Sequence, residues 1–308
     1  MENPTSDEKA LAALAHASVV LSYFGPIGAA LVWVVQRGKS KYVRYHALQA
    51  MGYQVLIFWA WLIGGVLIGM GVVGVSVATG ILSSDPSVLA PESMFFIQPV
   101  IMLLVFGMGG LMFLAGFVGA VFCLVGKDFR YPILGSWLHR RVFNGQNTEE
   151  EIEKWEEYWV GGVCHATAIL QVWSMITPLI VWFSQKERSA RLEFQALQAG
   201  VYQLAATMAY LLSNAGLFVV YLVFIAVLVT SGVSTDPTQE VSPGFGVLLV
   251  IIVAAFVLVI LGTMVLYPVY LILAGVAAAR TMRGHDFKYP LLGRIIQNRL
   301  SRRKRENG

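Results

Sequence analysis

Two matching sets of polar side chains are the groups in this sequence best placed to do chemistry. His46, Gln49 and Tyr53 are spaced three and four residues apart, so they share one face of an α-helix, and Gln54 widens this polar stripe. Each stripe opens a long apolar segment, and polar groups facing lipid are costly, so the stripe should face other helices. It either forms interhelical hydrogen bonds or lines a wet groove for a polar ligand or peptide. The second stripe, 149 residues later, consists of Gln195, Gln198, Tyr202 and Gln203.

Two histidines also occupy equivalent positions, because His16 and His165 are likewise 149 residues apart. A pair of imidazoles could hold a metal ion or relay a proton. No acidic or thiol ligand recurs beside both of them, however. We therefore predict no metal site and no cofactor. We expect each histidine to hydrogen-bond a backbone carbonyl that a nearby helix break leaves free.

A second repeated motif follows the last apolar segment of each half. The run Gly126-Lys-Asp-Phe-Arg-Tyr-Pro in the first half matches Gly284-His-Asp-Phe-Lys-Tyr-Pro in the second. Each aspartate either caps a helix or pairs with a basic residue such as Arg44 or Arg191. No second acid, base or nucleophile accompanies it, so we predict that the chain is not an enzyme. The candidate interfacial residues of the two motifs are Asp128, Tyr131, Pro132, Asp286, Tyr289 and Pro290.

Both motifs lead into amphipathic segments, which begin near residues 134 and 292 and carry arginines beside an apolar face. Such helices lie on membrane surfaces that present anionic headgroups. The net charge of +4 has the same explanation, since the basic residues flank apolar helices. We expect membrane lipids as partners, with other membrane proteins as a further candidate, and no nucleic acid.

The overall composition is that of a membrane protein. Hydrophobic residues make up 57% of the 308-residue chain and charged residues only 13%, and the mean hydropathy is +0.67. A soluble globular chain carries roughly 25% charged residues. Several apolar stretches exceed the roughly 18 residues that a membrane-spanning helix needs. A soluble core does not account for this pattern.

An internal repeat organises the chain. The halves align without a gap at an offset of 149 residues around the stripes, and at 158 residues around the closing motif. Each half holds a first apolar stretch broken by Gly25-Pro26 or Thr177-Pro178. Two longer apolar stretches follow, separated by a polar Asp-Pro loop at 85–86 or 236–237. We predict a first membrane repeat, an acidic linker helix and a second membrane repeat with a basic tail, at residues 1–145, 146–158 and 159–308.

The distribution of basic residues sets the expected topology. All 22 Lys and Arg lie outside the long apolar stretches, and residues 45–126 and 192–279 contain none. An even number of crossings per repeat puts every one of them on the cytoplasmic side, as the positive-inside tendency favours. The first stretch would then enter the membrane and return as two half-height helices, whereas a kinked single span is the alternative. Both termini would lie in the cytoplasm.

The acidic linker should dock on protein rather than on lipid. Residues 149–157 hold six Glu and one Lys, so an anionic leaflet repels them. We expect partners in the basic segments 127–141 and 280–305, with the ring of Trp155 packed against protein. The rival interpretation is that Trp155 belongs to an aromatic belt that leads into the next membrane segment.

The segment from Arg44 to Ala50, Arg-Tyr-His-Ala-Leu-Gln-Ala, resembles the signature of one family. That family is the twenty-kilodalton subunit of the chloroplast inner-envelope protein translocon with its bacterial relatives. The Tyr-Pro motif also fits, and the resemblance covers both halves. In the second half Glu193 replaces Arg44 and Gln195 replaces His46, so a role of those charges does not carry over. The resemblance implies a hairpin before the motif and a place in a bacterial plasma membrane.

Together these patterns predict an all-α integral membrane protein built from two tandem copies. Each copy would consist of a re-entrant helical hairpin, two long transmembrane helices and an interfacial amphipathic helix. By resemblance, the protein is a partner-binding or scaffold subunit that assists polypeptide insertion or translocation. The alternative is a small-molecule or lipid transporter with a site between the two repeats. The long apolar stretches carry no charged residue at membrane depth, which argues against ion-coupled transport.

Overall fold

The computed structural model describes residues 3–82, 91–142, 147–230 and 243–306. Within these residues the chain is helical and contains no strand, which confirms the predicted all-α class. The α-helices of this part of the chain are α1 Ser6–Ala17, α2 Gly25–Gln36, α3 Lys41–Leu82, α4 Pro91–Leu124, α5 Leu134–Val142, α6 Glu149–Ala166, α7 Ile176–Gln185, α8 Ala190–Thr230, α9 Pro243–Met282 and α10 Leu292–Glu306.

Capping boxes start the first helix of each repeat. The Thr5 hydroxyl accepts the Glu8 amide at 3.3 Å, and the Glu8 carboxylate accepts the Thr5 amide at 2.8 Å. Thr148 and Glu151 form the same reciprocal pair at the start of α6. Such a cap contributes about 1 kcal/mol because it satisfies amides that the first helical turn leaves free. The linker and the beginning of the first apolar stretch of the second repeat form one continuous helix, α6.

A short 3-10 segment with a sharp break separates the two helices of each first apolar stretch. Ser22 has a φ of 53° and the equivalent Gln171 a φ of 54°, a backbone conformation that residues with a side chain rarely adopt. Pro26 and Pro178 were expected to mark the turn itself. They lie instead in the first turns of α2 and α7, where a residue without an N–H is tolerated. Beyond the break, α2 packs against α1 and α3, and α7 against α6 and α8.

The two longest helices divide into a buried and an exposed part. At about 1.5 Å per residue, α3 and α8 are roughly 60 Å long, twice the hydrocarbon thickness of a bilayer. The first 15 or so residues of α3 lie inside the protein, whereas its distal part exposes Leu67 and Met70 by 63% and 68%. Among the described residues, the segments long and apolar enough to cross a membrane are Ser6–Gln36, Lys41–Val75, Ala190–Thr230 and Gly244–Met282.

The short helices gather around the basic ends of the long helices. In the first repeat α1 packs on α3 and α4, and in the second α6 packs on α8 and α9. The repeats meet where α2 contacts α7 and where α6 contacts α3 and α5. The core therefore lies at the loop ends of the long helices. The two Asp-Pro loops predicted at 85–86 and 236–237 lie outside the described residues.

Candidate functional site

The polar side chains of the first repeat form one buried cluster, the first polar core. It contains His16 from α1, His46 and Gln49 from α3, Cys123 from α4 and Tyr131 from the loop after α4, all with no exposed surface. His16 Nε2 lies 3.1 Å from His46 Nδ1, and His16 Nδ1 lies 2.9 Å from the Tyr131 hydroxyl. Burial raises the pKa of Tyr131, so its hydroxyl keeps its proton and can donate to His16.

The first polar stripe holds the closing motif, the repeated segment from Gly126 to Pro132, against α3 by hydrogen bonds. The Gln49 amide donates to the Phe129 carbonyl at 2.7 Å, and its oxygen accepts the Tyr131 amide at 3.3 Å. The ring of Tyr53 stacks on that of Tyr131 with centroids 3.8 Å apart. Tyr131 was expected at the membrane interface. It lies in the core because its hydroxyl and its amide both find partners there, while Pro132 remains exposed.

The second repeat builds an equivalent cluster with different chemistry. His165 Nδ1 lies 3.2 Å from the Tyr289 hydroxyl, and His165 Nε2 lies 2.9 Å from Gln195 Oε1. Gln195 stands where the first repeat has His46. Thr281 stands where it has Cys123, and its hydroxyl donates to a carbonyl of its own helix at 2.8 Å. The residues of this second polar core are His165, Gln195, Gln198, Thr281 and Tyr289.

The last glutamine of each stripe binds the helix break. Gln54 Nε2 donates to the Ala15 carbonyl at 3.1 Å, and Gln203 Nε2 donates to the Cys164 carbonyl at 2.7 Å. These carbonyls lie in the last helical turn before the break, where backbone donors begin to run out. The two histidines were expected in this role. They bind tyrosine hydroxyls and stripe side chains instead.

The stripe residues thus face the protein interior. The six glutamine and histidine members have no exposed surface, and the two tyrosines are half-buried and stack on the closing-motif tyrosines. The glutamine side chains bind carbonyls on other helices or loops of the same repeat. This arrangement matches the interhelical hydrogen-bonding alternative, in which each bond contributes about 0.6 kcal/mol.

An ionic clasp joins the two repeats. Glu156 has no exposed surface, and its carboxylate lies 3.7 Å from Arg37 Nε and 3.5 Å from Arg44 Nε. The indole of Trp33 also donates to it. Burial raises the pKa of Glu156, and the two guanidinium groups oppose that rise. Arg37 donates in addition to the side chain of Gln185 in the second repeat.

Two further linker carboxylates, those of Glu149 and Glu157, also belong to this clasp. Glu149 lies 2.8 Å from Arg44, and Glu157 lies 3.5 Å from Arg37 and 3.1 Å from Arg191. The expected docking of the acidic linker on basic elements is therefore observed. Its ion pairs are with Arg37 in the loop before α3, Arg44 in α3 and Arg191 in α8, whereas segments 127–141 and 280–305 were expected to supply them.

Trp155 lies against protein as expected. Its ring is half-buried between the guanidinium of Arg141, 4.9 Å away, and the backbone at Gly284. Arg141 belongs to the predicted basic segment 127–141. A cation over an indole face contributes about 0.5–1 kcal/mol at a partly exposed position.

Tryptophans exchange hydrogen bonds between the repeats. Trp59 Nε1 donates to the Ala166 carbonyl at 2.7 Å, and Trp159 Nε1 donates to the Leu48 carbonyl at 3.0 Å. A tryptophan of each repeat therefore donates a hydrogen bond to a backbone carbonyl of the other repeat. Together with the ionic clasp, these indoles occupy the contact between α3 and α6.

The two aspartates of the closing motifs differ in their partners. Asp286 lies 3.4 Å from Arg191, as expected, whereas Asp128 pairs with its neighbour Arg130 at 2.6 Å. Arg44 does not pair with Asp128 because the clasp carboxylates hold its guanidinium. Pro132 and Pro290, which end the two motifs, are exposed.

Sequence reasoning missed Cys123 and Glu156. Cys123 lies 77 residues from His46 and has no counterpart in the second half, so a search for recurring ligands passes over it. Glu156 is one of six linker glutamates. Its helical spacing from Ile152 and Trp159, both buried, could have placed it on the inner face.

Comparison with known families corrects the expected relationship. The model of the magnetosome magnetite crystal formation protein family matches the chain twice, at residues 7–138 and 156–296. The two matches confirm the internal repeat. No curated protein and no solved structure matches the chain.

The resemblance to the chloroplast translocon subunit is therefore wrong. It depended on a few residues, from Arg44 to Ala50, whereas the family model covers both repeats. A basic loop that opens an apolar helix is a pattern that unrelated membrane families share. The four described segments that are long and apolar enough to cross a membrane, together with the family match, identify a membrane protein. This chain belongs to the magnetosome magnetite crystal formation protein family.

Proposed function

We propose that this protein is a scaffold of the magnetosome membrane, which holds partner membrane proteins during magnetite crystal formation. The match of both repeats to the magnetosome family is the observation that carries this proposal. The internal design of the repeats supports a structural role. The side chains of the second polar core bind one another, and the repeats are joined by a buried ionic clasp.

A transporter with a site between the repeats fits these contacts less well. Trp59 and Trp159 occupy the contact between α3 and α6, and Arg37 bridges α2 to α7 through Gln185. Alternating access needs repeats that rock against each other around a ligand site. A contact fixed by buried charges and indoles resists that motion. Polypeptide translocation is likewise not part of the proposal.

The proposed topology is an even number of crossings per repeat, with α1–α2 and α6–α7 as re-entrant pairs and both termini cytoplasmic. All basic residues lie at the loop ends of the long helices, which favours one common side. Single cysteines introduced in intact cells test this arrangement, and the native Cys123 and Cys164 are buried.

Cysteines at Lys39, Glu187 and Arg303 should resist an impermeant thiol reagent added from outside. Cysteines at Ser87 and Gln239, which lie outside the described residues, should react. Labelling at Arg303 from outside would contradict the topology. Each variant is also labelled after cell lysis, as a control for reactivity.

We also propose that α5 and α10 contact anionic headgroups. Ile133 and Leu291 precede them, are 87% and 77% exposed, and follow Arg130 and Lys288 closely in the sequence. Such a combination of exposed apolar groups and cations suits a lipid interface. Replacing Arg302, Arg303 and Arg305 by Gln should lower the proportion of anionic lipid that copurifies. An unchanged lipid profile would argue against it.

Deletion of the gene in its magnetite-forming host separates the two candidate functions. A scaffold is needed for crystal formation but not for iron entry. We therefore expect altered crystal size or number by electron microscopy, unchanged total cell iron, and rescue by the full chain. Crosslinking in purified magnetosomes should join the chain to other magnetosome membrane proteins.

Two results would overturn the scaffold. Normal crystals in the deletion strain would show that the protein is not needed for magnetite formation. A proportional fall of cell iron and crystal mass would point to transport instead.

A further inference from the structure

The first polar core holds three side chains that ligate transition metals. The imidazoles of His16 and His46 and the thiol of Cys123 come from α1, α3 and α4, and one ligand atom of each lies within 4.8 Å of the other two. Among the described residues, no other group of three such side chains lies together. All three are fully buried.

Hydrogen bonding within the protein does not satisfy this cluster. His46 Nδ1 has one in-plane position for a hydrogen bond, yet three donors approach it. They are His16 Nε2 at 3.1 Å, Gln49 Nε2 at 3.1 Å and Cys123 Sγ at 3.4 Å. Three donors crowded around one buried acceptor nitrogen call for a physical explanation, such as an ion bound at Nδ1.

The separations suit tetrahedral coordination. Bonds of about 2.0–2.1 Å from zinc to nitrogen and about 2.3 Å to sulfur place ligand nitrogens about 3.3 Å apart and nitrogen and sulfur about 3.6 Å apart. The observed distances from His46 Nδ1 are 3.1 Å to His16 Nε2 and 3.4 Å to Cys123 Sγ. The hydroxyl of Tyr131 on the far nitrogen of His16 fixes that ring, as outer partners of metal-bound histidines do.

The second repeat supplies an internal comparison. At the positions of His46 and Cys123 it has Gln195 and Thr281, which are poor ligands for a transition metal. There His165 Nε2 faces a single acceptor, Gln195 Oε1, at 2.9 Å, so its hydrogen bonding is complete without an ion. The same scaffold therefore also accommodates a core without the second imidazole and the thiol.

A glycine on α4 permits the close approach that the first core needs. A β-carbon at Gly119 would lie 2.9 Å from His16 Nδ1, inside van der Waals contact. Cys123 follows one helical turn later on the same face. The equivalent residue of the second repeat is Ala277. The absence of a side chain at Gly119 thus leaves room for the His16 ring beside α4.

We propose that the first polar core binds one d10 transition-metal ion, Zn(II) or Cu(I), through His16 Nε2, His46 Nδ1 and Cys123 Sγ. Thiolate and imidazole ligands favour these ions. The set lacks the carboxylate of non-haem iron(II) sites, so it does not select iron. Binding displaces the thiol proton, and the three protein ligands leave a fourth position for water. The site would cross-link α1, α3 and α4.

The test uses the purified full-length protein in detergent, freed of metal with a chelator. Co(II) replaces Zn(II) in such sites, and thiolate ligation gives a near-ultraviolet charge-transfer band. We expect one equivalent of Co(II) to produce this band and Zn(II) to abolish it by displacement. A colorimetric Cu(I) chelator measures Cu(I) binding in a parallel titration.

Variants that copy the second repeat test the ligands without removing the fold. Cys123→Thr and His46→Gln should each abolish the band and the binding of one equivalent. Cys164→Ala, which removes the other buried cysteine, should leave both unchanged. Tyr131→Phe should weaken the affinity by about 10-fold. Zn(II) should raise the thermal unfolding temperature of the wild type and of Cys164→Ala but not of His46→Gln.

Binding of Cu(I) with the same variant dependence, without Co(II) or Zn(II) binding, would support the site with copper as its ion. Absence of binding by both ions, or binding that survives Cys123→Thr and His46→Gln, would overturn the proposal. Preferential binding of Fe(II) over Zn(II) at the same residues would overturn the assigned class of ion. Elution of each variant at the wild-type volume in size exclusion checks its folding.

Discussion

The buried carboxylate of the ionic clasp gives the sharpest prediction for stability. Glu156→Gln removes a charge that has no exposed surface and that faces Arg37 and Arg44 at 3.7 and 3.5 Å. Breaking a buried ion pair by removing one partner costs about 3–5 kcal/mol, since the other charge stays buried. Gln keeps the volume and can still accept the Trp33 indole.

The structure places the expected effect at the lower end of that range. Arg37 retains Glu157 at 3.5 Å and Arg44 retains Glu149 at 2.8 Å, so neither guanidinium is left without a carboxylate. We therefore expect Glu156→Gln to lower the free energy of unfolding by about 3 kcal/mol, or roughly 150-fold in the equilibrium constant.

Denaturant titration in mixed micelles measures this change. Glu150→Gln is the matched control, because Glu150 lies on the same helix and is exposed. It should shift the free energy of unfolding by less than about 0.5 kcal/mol. If both variants are destabilised equally, the clasp does not hold the repeats together, and the reasoning from burial is refuted.

Three further predictions concern other contacts. Glu149→Gln should destabilise the protein near pH 7, and this destabilisation should shrink as the pH falls below 4.5, because hydrogen bonds from Lys41 and Arg44 lower the folded-state pKa of Glu149 below its ordinary 4.5. Ser22→Gly should stabilise by about 1 kcal/mol, since glycine accepts the positive φ of 53° without strain. Trp59→Phe should cost about 1 kcal/mol by removing the hydrogen bond to Ala166.

Each of these has a result that would contradict it, read from the same unfolding titration. A destabilisation by Glu149→Gln that is as large at pH 3 as at pH 7 would mean that charge is not its cause. Ser22→Ala is the control for the glycine variant, and an equal gain from both would exclude relief of backbone strain. Unchanged stability of Trp59→Phe would show that the indole bond between the repeats contributes nothing.

The sequence alone predicted the membrane class, the duplication and the helix starts. These follow from local or periodic properties, namely long apolar runs, a constant offset between matching residues, and the Thr-to-Glu spacing of the capping boxes. The two polar stripes were also predicted to face protein, because their helical spacing puts them on one side of α3 and α8. Family membership was not predicted, because the resemblance from Arg44 to Ala50 is short, whereas the family match extends over both repeats.

Partners far apart in the chain were decided only by the tertiary structure. Spacing within a helix tells which side chains share a face, but not which loop covers that face. Thus the burial of Tyr131 beside His16, the capture of helix-break carbonyls by Gln54, and the closure of the clasp on Glu156 needed the packed helices. The approach of Cys123 to His46 across 77 residues likewise depends on how closely α4 packs on α1. The absence of a side chain at Gly119 permits this packing, but no periodic pattern in the sequence indicates it.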